Sequence, residues 1–169
     1  MSAPWLSELE GRLLRAAEPG TFTGAELEGL PEPARRHLAA AIAPGTPLAV
    51  SARLRMRGSI KVGRWLPFRA RQVLSPHHGF VWAARAAGVI VGSDRYVDGV
   101  GGMDWKLAGL VTVVHTEGPD VSRSVAGRGG AEAVWVPTAL LPRFGVSWSA
   151  GEFFRFQITD LHLVATAGR

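Results

Sequence analysis

Apolar positions change their period once along this chain. Leu6, Leu9, Leu13 and Leu14 recur at helical spacing and form one apolar stripe. They predict a helix over residues 8–17, capped by Ser7, with Glu8 and Glu10 in the first turn where the helix dipole favours acids. Pro19-Gly20 stops it, and residues 24–30 add one short turn. A second helix is predicted from Pro31-Glu32-Pro33, whose prolines suit a first turn. It runs through Arg35, Leu38 and Ile42 to a stop at Pro44-Gly45.

From Pro47 onward the period is two. Val50, Ala52, Leu54 and Met56 alternate with Ser51, Arg53, Arg55 and Arg57, and Phe68, Ala70 and Leu74 alternate with Arg69 and Arg71. Further strands are predicted at residues 80–85, 89–91, 95–97, 104–107, 111–115 and 153–163, with Gly99-Val100-Gly101-Gly102 as a flexible turn. Short strands between Gly and Pro turns indicate an antiparallel sheet, because nothing alternates strand with helix as a parallel sheet requires. The expected fold class is α+β: N-terminal helices packed on a curved antiparallel sheet of six to eight strands, half-barrel or cradle-like. Residues 1–46 form the helical segment and residues 47–169 the sheet portion of the same single domain.

Charge sharpens this picture. Of 19 basic residues in the 169, all but Lys61 and Lys106 are Arg. Residues 1–47 hold four Arg against six Glu, whereas no acidic side chain falls between Glu32 and Asp94, where ten Arg or Lys do. A segment of one sign attracts anions. If the strands around residues 50–57 and 68–74 pair as a hairpin with their apolar faces together, Arg53, Arg55, Arg57, Arg69 and Arg71 share the other face. Guanidinium groups there suit phosphate or carboxylate. A solvated outer face with arginine stems lying along it accounts for the same pattern. The nucleic-acid signal is weak, since the arginine strand lacks interleaved aromatics for base stacking. The absence of cysteine excludes disulfides, thiolate zinc sites and cysteine nucleophiles. No apolar run reaches the roughly 18 residues of a membrane span, and no signal peptide is legible, so a cytoplasmic location is expected.

Two further groups are candidates for chemistry. Trp82, Trp105 and Trp135 would line an apolar cradle if they faced one cavity, though core packing explains aromatics equally well. Asp94, Tyr96 and Asp98 alternate toward one side of a strand, and His115 and Glu117 share a side two residues apart. These five form a possible acid–base site, against a plain reading in which Asp98-Gly99 makes a hairpin turn and the others are ordinary surface hydrogen bonds. His77 and His78 are adjacent in a turn and point apart, which is poor chelating geometry. No metal site, cofactor motif, serine elbow or P-loop is present.

One set of segments is more specific. Residues 30–38 read Leu30-Pro31-Glu32-Pro33-Ala34-Arg35-Arg36-His37-Leu38, followed by Trp65-Leu66-Pro67-Phe68, Phe80-Val81-Trp82, Tyr96-Val97-Asp98-Gly99 and Gly109-Leu110-Val111. Glu117-Gly118-Pro119-Asp120 and Trp135-Val136-Pro137-Thr138-Ala139-Leu140-Leu141-Pro142 complete the series. In this order they resemble an uncharacterised bacterial family, a domain of unknown function. The resemblance implies a curved antiparallel sheet with flanking helices, distantly similar to lipoprotein-carrier cradles, and brings no activity with it. The family carries a helix before its Trp-Pro motif. Here that stretch keeps Arg128 and Glu132 four apart but contains Gly127, Gly129 and Gly130, each weakening a helix by about 1 kcal/mol relative to alanine. After Val146-Ser147-Trp148 the chain moves directly to a segment similar to the family's closing strand, as an internally shortened member would.

The leading expectation is non-catalytic binding of an apolar or amphiphilic anionic small molecule, with Trp82, Trp105 and Trp135 on its apolar part and Arg53, Arg55 and Arg71 on its anionic end. Arginines opposite the apolar face reach such a cavity only at a rim. The alternatives are a hydrolase using Asp94, Asp98, His115 and Glu117, and an interaction protein that completes a shortened sheet as a homodimer.

Overall fold

The computed structural model describes residues 4–149, 154–158 and 161–167. Its centre is a six-stranded antiparallel sheet of sequential hairpins: β3 (Ala52–Val62), β4 (Arg64–Ser75), β5 (Gly79–Ala86), β6 (Ile90–Val97), β7 (Val100–Leu107) and β8 (Val111–Glu117). Two short strands, β1 (Glu18–Thr21) and β2 (Pro47–Leu48), pair beside it, and β9 (Val146–Ser149), β10 (Phe154–Ile158) and β11 (Leu161–Ala167) form a third antiparallel sheet. The helices are α1 (Pro4–Leu13), α2 (Glu32–Ala41) and α3 (Pro119–Glu132). The fold is α+β, and the main sheet is open rather than closed on itself. No described helix is long and apolar enough to cross a membrane.

Several boundaries differ from the sequence pattern. Helix α1 begins at Pro4, which suits a first helical turn, and places Ser7 inside it. It stops at Leu13 because the next residues are tied to the start of β3: Arg15 N–H donates to Ser51 Oγ at 2.9 Å, and that hydroxyl donates to Arg15 O at 3.1 Å. Strand β1 is a ribbon within the segment expected to be helical. Its Glu-Pro-Gly-Thr sequence has no apolar alternation, and it pairs with β2, whose Leu48 is fully buried. Over residues 153–163 the single strand expected is instead parts of two strands, β10 and β11, paired antiparallel; Phe153, Thr159 and Asp160 lie outside the described residues.

Glycines explain two more differences. Gly101 and Gly102 belong to β7, not to a flexible turn, and only Asp98 and Gly99 make the β6–β7 turn. A Cβ on Gly101 would stand 2.3 Å from Val125 Cγ2 and 2.7 Å from Ser122 Cα, so its absence lets α3 lie against the strand. The two strands expected at residues 89–91 and 95–97 are one, β6, with Val89 in the turn before it; Gly92 leaves room for the Trp105 indole above the backbone, 2.4 Å from where a Cβ would be.

Alternate residues of the main sheet enter two cores. On one face Leu74, Phe80, Trp82, Ala84 and Tyr96 pack with Val125 of α3. On the other, Val73, Val81, Ala83 and Val97 pack with Leu6 and Leu13 of α1. Helix α2 does not lie on the sheet. Its Leu38 joins a third cluster with Phe22, Leu48, Leu140, Leu141 and Val146. Helix α3 forms despite its glycines because Gly129 and Gly130 are buried, with Gly129 close over the Phe80 ring. It also packs against β11.

Candidate functional site

The site begins with register. Arg57 of β3 stands opposite Arg69 of β4, Arg69 opposite Arg85 of β5, Arg85 opposite Val91 of β6, and Val91 opposite Lys106 of β7. Directly opposed residues point to the same side of a sheet. One row across five strands therefore carries four cations and no carboxylate. In the neighbouring row Arg55 opposes Arg71. This is the face that α1 covers, and α1 covers only part of it.

Beside the helix lies a groove of about 810 Å³, lined by Trp5 and Leu6 of α1 together with Arg69, Arg71, Arg85 and Lys106 of the sheet, and by Asp104. Ala83 and Val91 contribute apolar lining. The groove's cations are incompletely offset. Arg71 Nε donates to Glu10 Oε1 at 2.8 Å, and Asp104 meets His115 Nδ1 at 3.4 Å. Arg69, Arg85 and Lys106 form no ion pair with any described residue; Arg85 Nη1 donates only to Gly88 O, at 3.0 Å. Arg71 Nη2 is buried with no hydrogen-bond partner among the described residues. An orphaned buried donor costs about 1–3 kcal/mol.

The face under α3 is different. Trp82 and Trp105 do come together there, with ring centroids 5.7 Å apart. Arg128 of α3 lies 4.9 Å from the centre of the Trp82 ring and 5.0 Å from that of Phe80. It donates to Asp94 Oδ2 at 2.7 Å and to Glu132 Oε1 at 2.9 Å. Asp94 also accepts from Trp105 Nε1 at 2.8 Å, and Glu132 accepts from Gln72 Nε2. Trp135 stands half exposed in the segment after α3 and makes no ring contact with the other two. Arg53, Arg55 and Arg71 are on the opposite face of the sheet from Trp82 and Trp105, so the structure does not gather these six around one cavity. Of the three arginines, Arg71 lines the groove, whereas Arg53 and Arg55 are exposed on edge strand β3.

The polar candidates are also parted. Asp94 belongs to the network under α3, and Tyr96 is buried in the core there. Asp98, in the turn with φ 49°, pairs with Arg12 at 2.6 Å and His78 Nδ1 at 3.5 Å. Glu117 pairs with Arg95, while His115 meets Asp104 rather than Glu117. His77 Nε2 is hydrogen-bonded with Ala139 O at 3.0 Å, and burial holds its pKa below the ordinary value of 6.5 despite that bond.

A model of a family of unknown function, DUF6544, matches residues 20–159. The chain belongs to this family. No curated protein and no solved structure is significantly similar to it. The DUF6544 match takes in the whole main sheet and α3 but begins after α1, so the groove's helical wall lies outside the matched residues.

Sequence reasoning placed Arg69 on the arginine face but missed Arg85, Lys106 and Trp5 as neighbours of a site. The signal for the first two was present. A tight turn pairing Ser75 with Gly79 sets Arg69 against Arg85, and the Asp98-Gly99 turn sets Val91 against Lys106. Nothing in the sequence told where Trp5 would lie, since that depends on which face α1 covers.

Proposed function

We propose that this chain binds, without catalysis, an amphiphilic anion in the groove between α1 and the arginine face of the sheet. The observation that carries this reading is the groove's composition: four cationic side chains against Glu10 and Asp104, beside apolar Leu6, Ala83, Val91 and Trp5. Like charges opposite one another are unfavourable, and a bound anion relieves that cost. The apolar wall suits an aliphatic tail. Acid–base hydrolysis has less support, because Asp94, Asp98, His115 and Glu117 are each held by a different partner.

Trp5 makes the test direct. Native mass spectrometry of the purified protein should show an adduct of lipid-like mass. Titration with fatty acids and lysophospholipids should raise Tm and shift tryptophan emission, and Trp5→Phe should remove the emission change. No response in either Tm or emission to any of these ligands overturns the reading.

A second reading, pairing of two copies through β8, is favoured by one feature. This edge strand exposes Val111 and Val113, 62% and 59% accessible, after Leu110 at 85%. Edge strands with exposed apolar residues pair readily, and a two-fold axis would oppose the same valines from each copy. Light scattering should then show a dimer that Val113→Lys dissociates; a monomer at all concentrations removes this reading.

A further inference from the structure

We infer that the anion taken by this groove is a phosphate monoester gripped by Arg69 and Arg85; this rests on the groove reading and names its headgroup. Arg69 and Arg85 are directly opposed on β4 and β5. Opposed side chains in such a ladder stand about 5 Å apart at Cβ, so both guanidinium groups reach one ligand atom cluster from neighbouring strands. Both line the groove, and neither is offset by a carboxylate among the described residues. Lys106 continues the same row on the groove lining and supplies a point charge and a further donor.

Charge and donor count select the ligand. The groove's four positive charges face two carboxylates, Glu10 on Arg71 and Asp104 on the lining, which leaves about two uncompensated. A carboxylate ligand carries one charge and two acceptor oxygens. A phosphate monoester carries nearly two charges at neutral pH and three terminal oxygens, which match two guanidinium forks and one further donor. The ester oxygen then leads into the apolar side of the groove, toward Trp5, Ala83 and Val91.

The test is calorimetric titration of the full chain with dodecyl phosphate and dodecanoate, each below its micelle concentration, and with inorganic phosphate. Dodecyl phosphate should bind about tenfold or more tighter than dodecanoate, and Arg69→Gln or Arg85→Gln should each weaken it roughly 10- to 100-fold. Arg69→Lys should recover only part of this, because it keeps the charge but not the fork. Arg53→Gln, on the same face but outside the groove, should leave binding unchanged. Equal affinity for dodecyl phosphate and dodecanoate overturns the phosphate inference while leaving the amphiphile reading in place. Inorganic phosphate binding as tightly as dodecyl phosphate, and lost in Arg69→Gln, upholds the clamp, makes free phosphate its source and removes the amphiphile. An equal loss in Arg53→Gln reduces the clamp to diffuse attraction and overturns it. No binding by any of the three overturns both.

Discussion

The face of the sheet under α3 and the face under α1 are built from alternate residues of the same strands, yet they treat charge in opposite ways. Under α3 a single cation, Arg128, meets two carboxylates, and Asp94 and Glu132 in turn accept from Trp105 and Gln72. Charge there is enclosed and offset, as burial requires. Under α1 Arg71 meets Glu10, but the opposed Arg69 and Arg85 have no carboxylate partner among the described residues, and the helix leaves a groove beside them. The first arrangement holds an element in place. The second leaves positive charge facing a space of ligand size, which is why the functional reading rests on that face.

The largest expected effects test whether the two cores are equally strong. Phe80 is fully buried beneath α3, and Phe80→Ala should cost about 3–5 kcal/mol in urea unfolding. Leu13→Ala, on the buried face of α1, should cost about 2–3 kcal/mol, because a ten-residue helix resting on the sheet can partly collapse onto the space left. A greater loss from Leu13→Ala than from Phe80→Ala would reverse this ranking of the faces.

Arginine substitutions come next in size. Arg128→Met keeps the cover over Phe80 and Trp82 but leaves Asp94 and Glu132 without their cation. A buried pair broken in this way loses about 3–5 kcal/mol; the Arg128 side chain is 32% exposed, so about 1–3 kcal/mol is expected by chemical denaturation. Arg69→Gln should stay within about 0.5 kcal/mol of the parent in the same measurement. Equal losses in the two variants would erase the contrast between structural and uncompensated arginines.

A smaller effect comes from His77, between Ala139 and the sheet. Burial lowers its pKa in the folded chain below the 6.5 of the unfolded one. Its neutral form therefore costs nothing above that value. As pH falls through 6.5, the unfolded chain takes up the proton first and stability declines until the folded pKa is passed. The drop in Tm between about pH 7.5 and about pH 5.5 should be smaller in His77→Gln than in the parent. The smallest expected change is a gain: Arg57→Gln removes a charge opposite Arg69 and should stabilise by about 0.2–0.5 kcal/mol.

Much of the fold was legible in the residues. Period-two alternation placed most of the main-sheet strands, and the coincidence of apolar faces put Arg53, Arg55, Arg57, Arg69 and Arg71 on one side, as the register does. Alternation failed where glycines sit in strands. Gly92, Gly101 and Gly102 read as interruptions, whereas a neighbouring ring, helix or guanidinium fills the space a side chain would occupy. The candidate sites were less legible. Trp82 with Trp105 and the arginine row are each real groupings, but sequence joined them as one cradle although they belong to opposite faces.

The sequence by itself determined which residues share a side of each strand, the α+β class and the single-sign segment between Glu32 and Asp94, because these depend on local periodicity and on charge order along the chain. Only the tertiary structure decided that α3 takes the tryptophan face and α1 part of the arginine face. That choice sets which charges are enclosed and which are left open. It depends on contacts between residues far apart in the chain, such as Gly101 with Ser122 and Glu10 with Arg71, whose complementarity no local pattern records.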